Sequence, residues 1–191
     1  YLYYAENTGS VNLTQIAKAL SLSKATCTRA INDLSASGLI SQTAEGTNKW
    51  ITTAYTKSEL LEKAYGRLKT PVDRILYVKG TAQIEHPIAS GIRALARQSM
   101  IGVNDQDGAI AISKKEAAKI PAEDICTKQY FEDFGGAVIE VWSYDPIILE
   151  RDGCVDDISL LLSMDNDPNE RVQTCLDEIR QKHGLPIKEE E

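Results

Sequence analysis

The sequence of 191 residues predicts an α+β protein with two domains, a small helical domain with a β-hairpin and a larger mixed α/β domain. Residues 1–70 contain three apolar stripes at helical spacing and one strand–turn–strand pattern. Residues 71–191 mix strand-like and helical segments, which indicates an α/β or α+β domain. The balance of charged residues changes from basic to acidic at the same place. Residues 1–70 hold 8 Lys or Arg and 5 Asp or Glu, whereas residues 71–191 hold 13 and 23.

The first predicted helix lies in the segment VNLTQIAKAL. Asn12 is expected to cap it, with Gln15 completing a capping box three residues later. Its apolar side comprises Leu13, Ile16, Ala17 and Leu20. Before it, residues 1–6 are typical of the end of a helix. Since the first residue is Tyr rather than Met, we expect the natural start to lie upstream.

A second helix is predicted in SLSKATCTRAINDL, after a short turn at Ser21 and Leu22. Ser23 is the expected N-cap, and Gly38 is well placed to end the helix. Its expected buried side comprises Cys27, Ala30, Ile31 and Leu34.

A β-hairpin is predicted next, with strands in LISQT and KWITTAY and the polar turn AEGTN between them. The segment TKSELLEKAYGRLKT then predicts a third helix, capped by Thr56. Its apolar side comprises Leu60, Leu61, Ala64 and Leu68. Two helices followed by a hairpin are the layout of a winged helix, in which the hairpin flanks DNA.

Pro71 marks the expected start of the second domain. Strands are predicted in PVDRILYVKG, GAIAIS and AVIEVWSY, with a turn at NDQDG before the second of them. Helices are predicted in HPIASGIRALARQSMI, KKEAAKI and DPNERVQTCLDEIRQKHG. For the last helix we expect Asp167 as N-cap, Pro168 at the first position, Glu170 in a capping box and Gly184 at the end. The run DDISLLLSM is consistent with a buried strand, a helix or an interface, and the final KEEE needs no fold.

The candidate reactive side chains of the sequence do not form a catalytic pattern. The cysteines Cys27, Cys126, Cys154 and Cys175 lack zinc-like spacing, which favours reduced thiols in the cytosol. SMDNDPNERVQTCL lacks the turn glycine and the last carboxylate of a calcium loop. A nuclease would combine Asp105 or Asp107 with Glu140, but Trp142 stands where the lysine belongs. His86 and Ser90 are close in sequence without a nucleophile elbow. We therefore expect no enzyme activity, no metal and no cofactor.

The outward side of the second helix carries residue types suited to base edges and phosphates. The predicted DNA contacts there are Ser23, Lys24, Thr26, Thr28, Arg29 and Asn32. In the hairpin, the expected contacts with the DNA backbone or minor groove are Thr47, Asn48 and Lys49. The alternative is a helical module that contacts protein instead of DNA. The absence of an acidic residue before Asp33 on this side favours DNA.

LTQIAKALSLSKATCTRAINDLSASGLI followed by the hairpin resembles winged helix-turn-helix transcription regulators of the MarR type, over about residues 1–65. This resemblance implies binding of double-stranded DNA. The rest of the chain departs from that family, whose dimers are built by long terminal helices. In layout, the chain is similar to the antitoxins of abortive-infection (AbiEi-type) systems. The function predicted is an operator-binding regulator, most simply a repressor. The alternative is an antitoxin that also represses its own operon.

The acidic second domain is expected to face away from DNA and to serve as a dimerisation platform, a sensor of a small-molecule effector or a surface for a partner such as a toxin. Its aromatic residues are consistent with either a pocket or a core: Tyr130, Phe131, Phe134, Trp142 and Tyr144. We expect the chain to form a homodimer. We also expect it in the cytoplasm, since no apolar run has the length of a membrane span.

Overall fold

The computed structural model describes residues 1–5, 10–46, 48–80, 83–102 and 108–187. The chain forms two compact units. The first comprises Tyr1–Leu68 and His183–Leu185, and the second comprises Lys69–Lys182 with the residues that follow Leu185. Within the described part of the chain, no helix has the length and apolar character needed to cross a lipid bilayer.

The first unit combines three helices with a small antiparallel sheet. Its elements are β1 (Val11–Asn12), α1 (Leu13–Ala19), α2 (Lys24–Ala36), β2 (Ser41–Glu45), β3 (Asn48–Thr52) and α3 (Lys57–Tyr65). The strand order is β1-β3-β2. Strand β1 was not predicted, because a two-residue strand depends on its pairing with Trp50 and Ile51 of the distant β3.

The core of the first unit follows the predicted apolar stripes. Its buried members are Ile16, Ala17, Cys27, Ile31, Leu39, Ile40, Ile51 and Leu60. Two expectations are wrong. Ala30 is exposed, because it lies at the edge of the stripe of α2 and its single methyl does not reach the core. Leu68 is 41% exposed, because α3 ends at Tyr65, one turn before it.

The second unit is a five-stranded mixed sheet with helices. Its elements are β4 (Val72–Val78), β5 (Ile88–Ala89), α4 (Gly91–Ala96), β6 (Ala109–Ser113), α5 (Lys114–Ala117), β7 (Ile125–Cys126), α6 (Lys128–Phe134), β8 (Ala137–Trp142), α7 (Asp157–Met164) and α8 (Glu170–Lys182). The strand order is β5-β6-β8-β4-β7. The central pair β6 and β8 is parallel, and the other pairs are antiparallel.

The two faces of this sheet differ in chemistry. One face carries Ile110 and Ile112 of β6 and Ile139 and Val141 of β8, which pack with Ala117 of α5. Because side chains alternate along a strand, the opposite face carries the remaining residues of β6 and β8. These are Ala109, Ala111 and Ser113, and Val138, Glu140 and Trp142. A carboxylate therefore lies in the middle of a sheet face.

Residues 86–101 are not one helix, contrary to the prediction. Ile88 and Ala89 instead pair with β6, and α4 covers only Gly91–Ala96. Gly91 has a φ of +54°, which is outside the helical region and keeps the helix from extending towards Pro87. The run DDISLLLSM, for which the sequence left alternatives open, is the helix α7, capped by Asp156.

The start of α8 also differs from the prediction. Asp167 is not its cap, because its Oδ1 accepts from the amide of Asn169 at 2.9 Å. Asn169 in turn accepts from the amide of Arg171 at 3.0 Å, so the helix begins at Glu170. Glu170 is therefore the first helical residue and not the third position of a capping box. The predicted end is confirmed, since Gly184 follows with a φ of +69°.

Some predicted features lie outside the described residues: Glu6 at the end of the segment 1–6, the turn at 104–107 with Asp105 and Asp107, and the acidic tail at 188–191. The four cysteines form no disulfide. The aromatic residues expected in a pocket or a core do not share one environment. Trp142 is buried in the core at 1% exposure, whereas Phe134 is 73% exposed.

Candidate nucleic-acid interface

The turn between α1 and α2 is held by main-chain hydrogen bonds. The amide of Leu20 donates to the carbonyl of Ile16, and the amide of Leu22 donates to that of Ala17, both at 2.9 Å. Ser21, between them, adopts a left-handed φ of +51°. Together these interactions end α1 and redirect the chain into α2.

The predicted caps of both helices are confirmed. Asn12 and Gln15 form the reciprocal capping box of α1. The hydroxyl of Ser23 accepts from the amide of Thr26 at 3.1 Å and also contacts the Thr26 hydroxyl at 2.9 Å. Each of these bonds joins residues three positions apart, which explains why they can be predicted from the sequence.

α2 separates a buried side from an exposed side. Cys27 and Ile31 are buried against α1 and the sheet, whereas Arg29 and Asn32 are exposed. At 100° per residue, Arg29 lies about 160° around the helix from Ile31. Of the remaining predicted contacts on α2 and its cap, Ser23, Lys24 and Thr26 are exposed and Thr28 is half-buried.

The hydroxyl groups at the start of α2 are partly engaged by the helix itself. Thr28 donates from Oγ1 to the carbonyl of Lys24 at 2.8 Å, and Ser23 and Thr26 bond each other. The amide of Thr26 is satisfied by the cap. The amides of Lys24 and Ala25, in the first turn, have no hydrogen-bond acceptor among the described residues. Free amides at a helix start are suited to a phosphate oxygen.

The wing, defined here as β2, β3 and the turn between them, places Lys49 on a defined face. In the antiparallel register Lys49 lies opposite Ala44, and Ile51 lies opposite Gln42. Ile51 is 1% exposed, so these four side chains share the face that packs on the helices. Lys49 itself is exposed. Of the other two predicted wing contacts, Asn48 begins β3 and Thr47 lies outside the described residues.

Gln42 joins the wing to α2, and sequence reasoning did not identify it. Its Nε2 donates to Oδ1 of Asn32 at 3.3 Å. The strand alternation of SQTAE would have placed Gln42 and Ala44 on one face, but nothing local indicates that this face meets Asn32. The structure thus brings a wing residue together with one of the predicted base-reading residues.

The exposed charges of this region are mainly positive. Lys24, Arg29 and Lys49 are all exposed. The acidic group of α2, Asp33, is exposed as well. At the start of α3, the amide and hydroxyl of Thr56 both donate to Glu59 at 2.8 Å and lower the pKa of that carboxyl group. The capping box thereby holds the carboxylate of Glu59 against the amide and hydroxyl of Thr56.

Comparison with protein families matches residues 1–49 to the model described as MarR family. A search of curated proteins found no match to the chain. A search of solved structures found none either. The matched residues include α1, α2, β2 and the start of β3. Residues 1–49 are therefore a MarR-like winged-helix segment, and the match supports a DNA-binding transcription regulator in general.

Proposed function

We propose that the chain is a cytosolic repressor that binds duplex DNA through α2 and the wing. The observation that carries this proposal is the arrangement of α2. Its buried side fixes the helix in the unit, while Arg29 and Asn32 remain exposed on the other side. A helix presented in this way fits the major groove of B-DNA.

In this proposal, Arg29 and Asn32 read bases. Arginine forms paired hydrogen bonds with guanine, and asparagine does so with adenine. Oδ1 of Asn32 already accepts from Gln42, but an amide oxygen has two lone pairs and can also accept from adenine N6. Gln42 therefore acts as a positioning residue that restricts the rotation of the Asn32 amide.

Other groups of the first unit contact phosphates. The amides of Lys24 and Ala25 bind one phosphate at the start of α2, and the Lys24 ammonium adds positive charge nearby. Lys49 contacts the backbone from the wing. These contacts set the position of α2 in the groove and contribute affinity without sequence preference.

The second unit belongs to the part of the chain with the acidic excess, so it avoids phosphate and faces away from the DNA. Repression then follows from occupancy of an operator, without chemistry on the DNA. The role left for the second unit is dimerisation or response to a ligand.

The test is binding of the full chain to labelled duplexes tiled across the region upstream of its own gene, followed by fluorescence anisotropy. We expect one or a few adjacent duplexes to bind with a Kd of about 10⁻⁸ M or tighter, and the others at least about 10³-fold more weakly. A reporter under that promoter should fall in output when the chain is expressed. Equal weak binding to every duplex would contradict the proposal.

The second candidate is an antitoxin, and the observation that favours it is an exposed aromatic pair on α6. Phe134 is 73% exposed and packs on Tyr130 with ring centroids 4.8 Å apart. Exposed aromatic side chains are enriched where proteins bind partners. Co-expression with each neighbouring gene separates the candidates. An antitoxin would restore growth inhibited by one of those genes, and Phe134→Ser would weaken the rescue, whereas a plain repressor would restore no growth.

A further inference from the structure

The second unit contains a cavity of about 550 Å³ that is separate from the winged helix. Its floor is the sheet face at Ala109, Val138 and Glu140. Its walls are the start of α4 and the end of α7 with the residues that follow it. This volume lies within the usual range of small-molecule sites.

Glu140 is the buried charged group of this cavity. The residue is 9% exposed, and it lies on β8, in the middle of the sheet. Its Oε2 accepts from the hydroxyl of Ser90 at 2.5 Å and from Nε1 of Trp142 at 3.0 Å. Two neutral donors therefore hold one oxygen in a fixed position.

The other oxygen, Oε1, has no hydrogen-bond partner among the residues that the structure describes. No Lys, Arg or His of this described set forms a salt bridge with Glu140. At 9% exposure this carboxylate keeps little of its hydration, and no cation among these residues compensates for the loss, which is unfavourable. A cationic ligand would supply that charge.

The surroundings of Oε1 leave space for such a ligand. A Cβ atom at position 91 would lie 3.7 Å from Oε1, so Gly91 keeps this side of the carboxylate clear. Ser90 precedes α4 but makes no side-chain cap, because its hydroxyl donates to Glu140 instead. The side chain that would ordinarily cap this helix is used to position the carboxylate.

The two other acids that line the cavity have partners. Asp165 forms a salt bridge at 2.7 Å with Arg180, which is 1% exposed. Asp167 accepts from the amide of Asn169 at 2.9 Å. A metal ion does not fit, since the described residues contain no group of three or more His, Cys, Asp or Glu side chains able to hold one. Of the three acids, Glu140 is the buried one, whereas Asp165 and Asp167 are half-buried.

We propose that this cavity binds a small organic cation, with an ammonium or amidinium group paired to Oε1 of Glu140. The apolar part of the ligand packs against Ile92, Val138 and Leu162, which line the cavity and are half-buried. The site is formed by the second unit and does not depend on DNA binding by the first.

The test uses the full chain and two probes of the same shape, benzamidine as the cation and benzamide as its neutral counterpart. Binding is measured by isothermal titration calorimetry and by ligand-observed NMR in the millimolar range. We expect benzamidine to bind wild type at least about tenfold more tightly than benzamide. Glu140→Gln, which keeps the acceptor for Ser90 and Trp142, should abolish that preference.

Glu178→Gln is the matched control, since it removes the same charge from an exposed position of α8 outside the cavity. It should bind benzamidine as wild type does. Circular dichroism and thermal unfolding establish that each variant is folded. The preference of wild type for the cation is an independent measurement, should Glu140→Gln not fold. Equal binding of the two probes to wild type, no binding of either, or unchanged binding to a folded Glu140→Gln variant would each overturn the proposal.

Discussion

Arg29 and Asn32 are exposed because the other side of α2 is fixed by the core. Cys27 and Ile31 are buried at 3% and 6% exposure. Rotating the helix to bury Arg29 would expose both of them and would desolvate a guanidinium group. The geometry of two buried residues thus determines which polar side chains are free to meet DNA.

Replacing Arg29 by Ala should therefore affect recognition and not folding. We expect a loss of about 1–3 kcal/mol of discrimination at one base pair, because the paired contact with guanine disappears. Competition between the preferred duplex and its single-base variants measures this. Arg67→Ala, an exposed change in the same unit after α3, serves as the control. If Arg29→Ala weakened all duplexes equally, Arg29 would be a phosphate contact instead.

Tyr144, in the second unit, should make the stability of the fold depend on pH in the alkaline range. Burial raises the pKa of Tyr144 well above its usual value, the negative charge of Asp156 adds to this effect, and the hydrogen bond with Ser159 opposes it. The folded state therefore keeps the phenol proton while an unfolded tyrosine loses it at about pH 10. The contribution of Tyr144 to stability is present below that pH and is lost as the pH rises above it.

Urea unfolding between about pH 8 and pH 11 should show the stability falling less steeply for Tyr144→Phe than for wild type. Tyr130→Phe, a change of the same kind at a more exposed position, should keep the wild-type slope. An identical alkaline decline for wild type and Tyr144→Phe would show that Tyr144 does not cause it.

At the scale of elements, the wing is fixed to α2 by both packing and a polar contact. Ile51 is buried in the core, and Gln42 donates to Asn32. Lys49 lies on the same face as these two residues, near the tip of the hairpin. The wing therefore presents its positive charge on the side of the sheet that faces the helices.

Lys49→Ala should weaken binding to all duplexes by a similar factor and reduce the slope of log K against log salt by about one unit, because one phosphate contact is lost. Titrations at several salt concentrations, with preferred and unrelated duplexes, measure both effects. Lys115→Ala removes the same charge from an exposed position of the second unit and should leave the slope unchanged. An effect limited to the preferred duplex would mean that Lys49 reads bases.

The elements that sequence reasoning found are those determined by local interactions. The capped helices α1, α2 and α3 and the strongly apolar strands β6 and β8 depend on residues a few positions apart. The missed strands β1, β5 and β7 have two residues each and exist only through pairing with distant strands. The contact of Gln42 with Asn32 and the cavity around Glu140 depend on tertiary packing in the same way.

At the scale of the molecule, the proposed repressor needs more than one recognition helix. One helix reads only a few base pairs, each worth about 1–3 kcal/mol, which is too little to select one site in a genome. A dimer with two recognition helices about 34–36 Å apart would supply the remaining discrimination between sites. Most apolar residues of α7 and α8 are buried within the second unit, which leaves these two helices little apolar surface for a partner copy.

We therefore expect a homodimer in solution, and sedimentation velocity at micromolar concentration in moderate salt measures it. The predicted mass is twice the 21.0 kDa of the chain. A dimer should also prefer duplexes with inverted half-sites. A clean monomer that still binds one operator tightly would contradict the dimer.

Base reading by α2 is tested most directly by selection of bound sequences from a randomised duplex pool by the full chain, followed by sequencing. We predict that wild type enriches one motif, that Arg29→Ala loses preference at a defined position of it, and that Asn32→Ala loses preference at another. The positions should lie within a few base pairs of each other, because the two side chains are less than one helical turn apart. Enrichment of no motif by a folded chain, or an unchanged motif in both variants, would show that α2 does not read DNA.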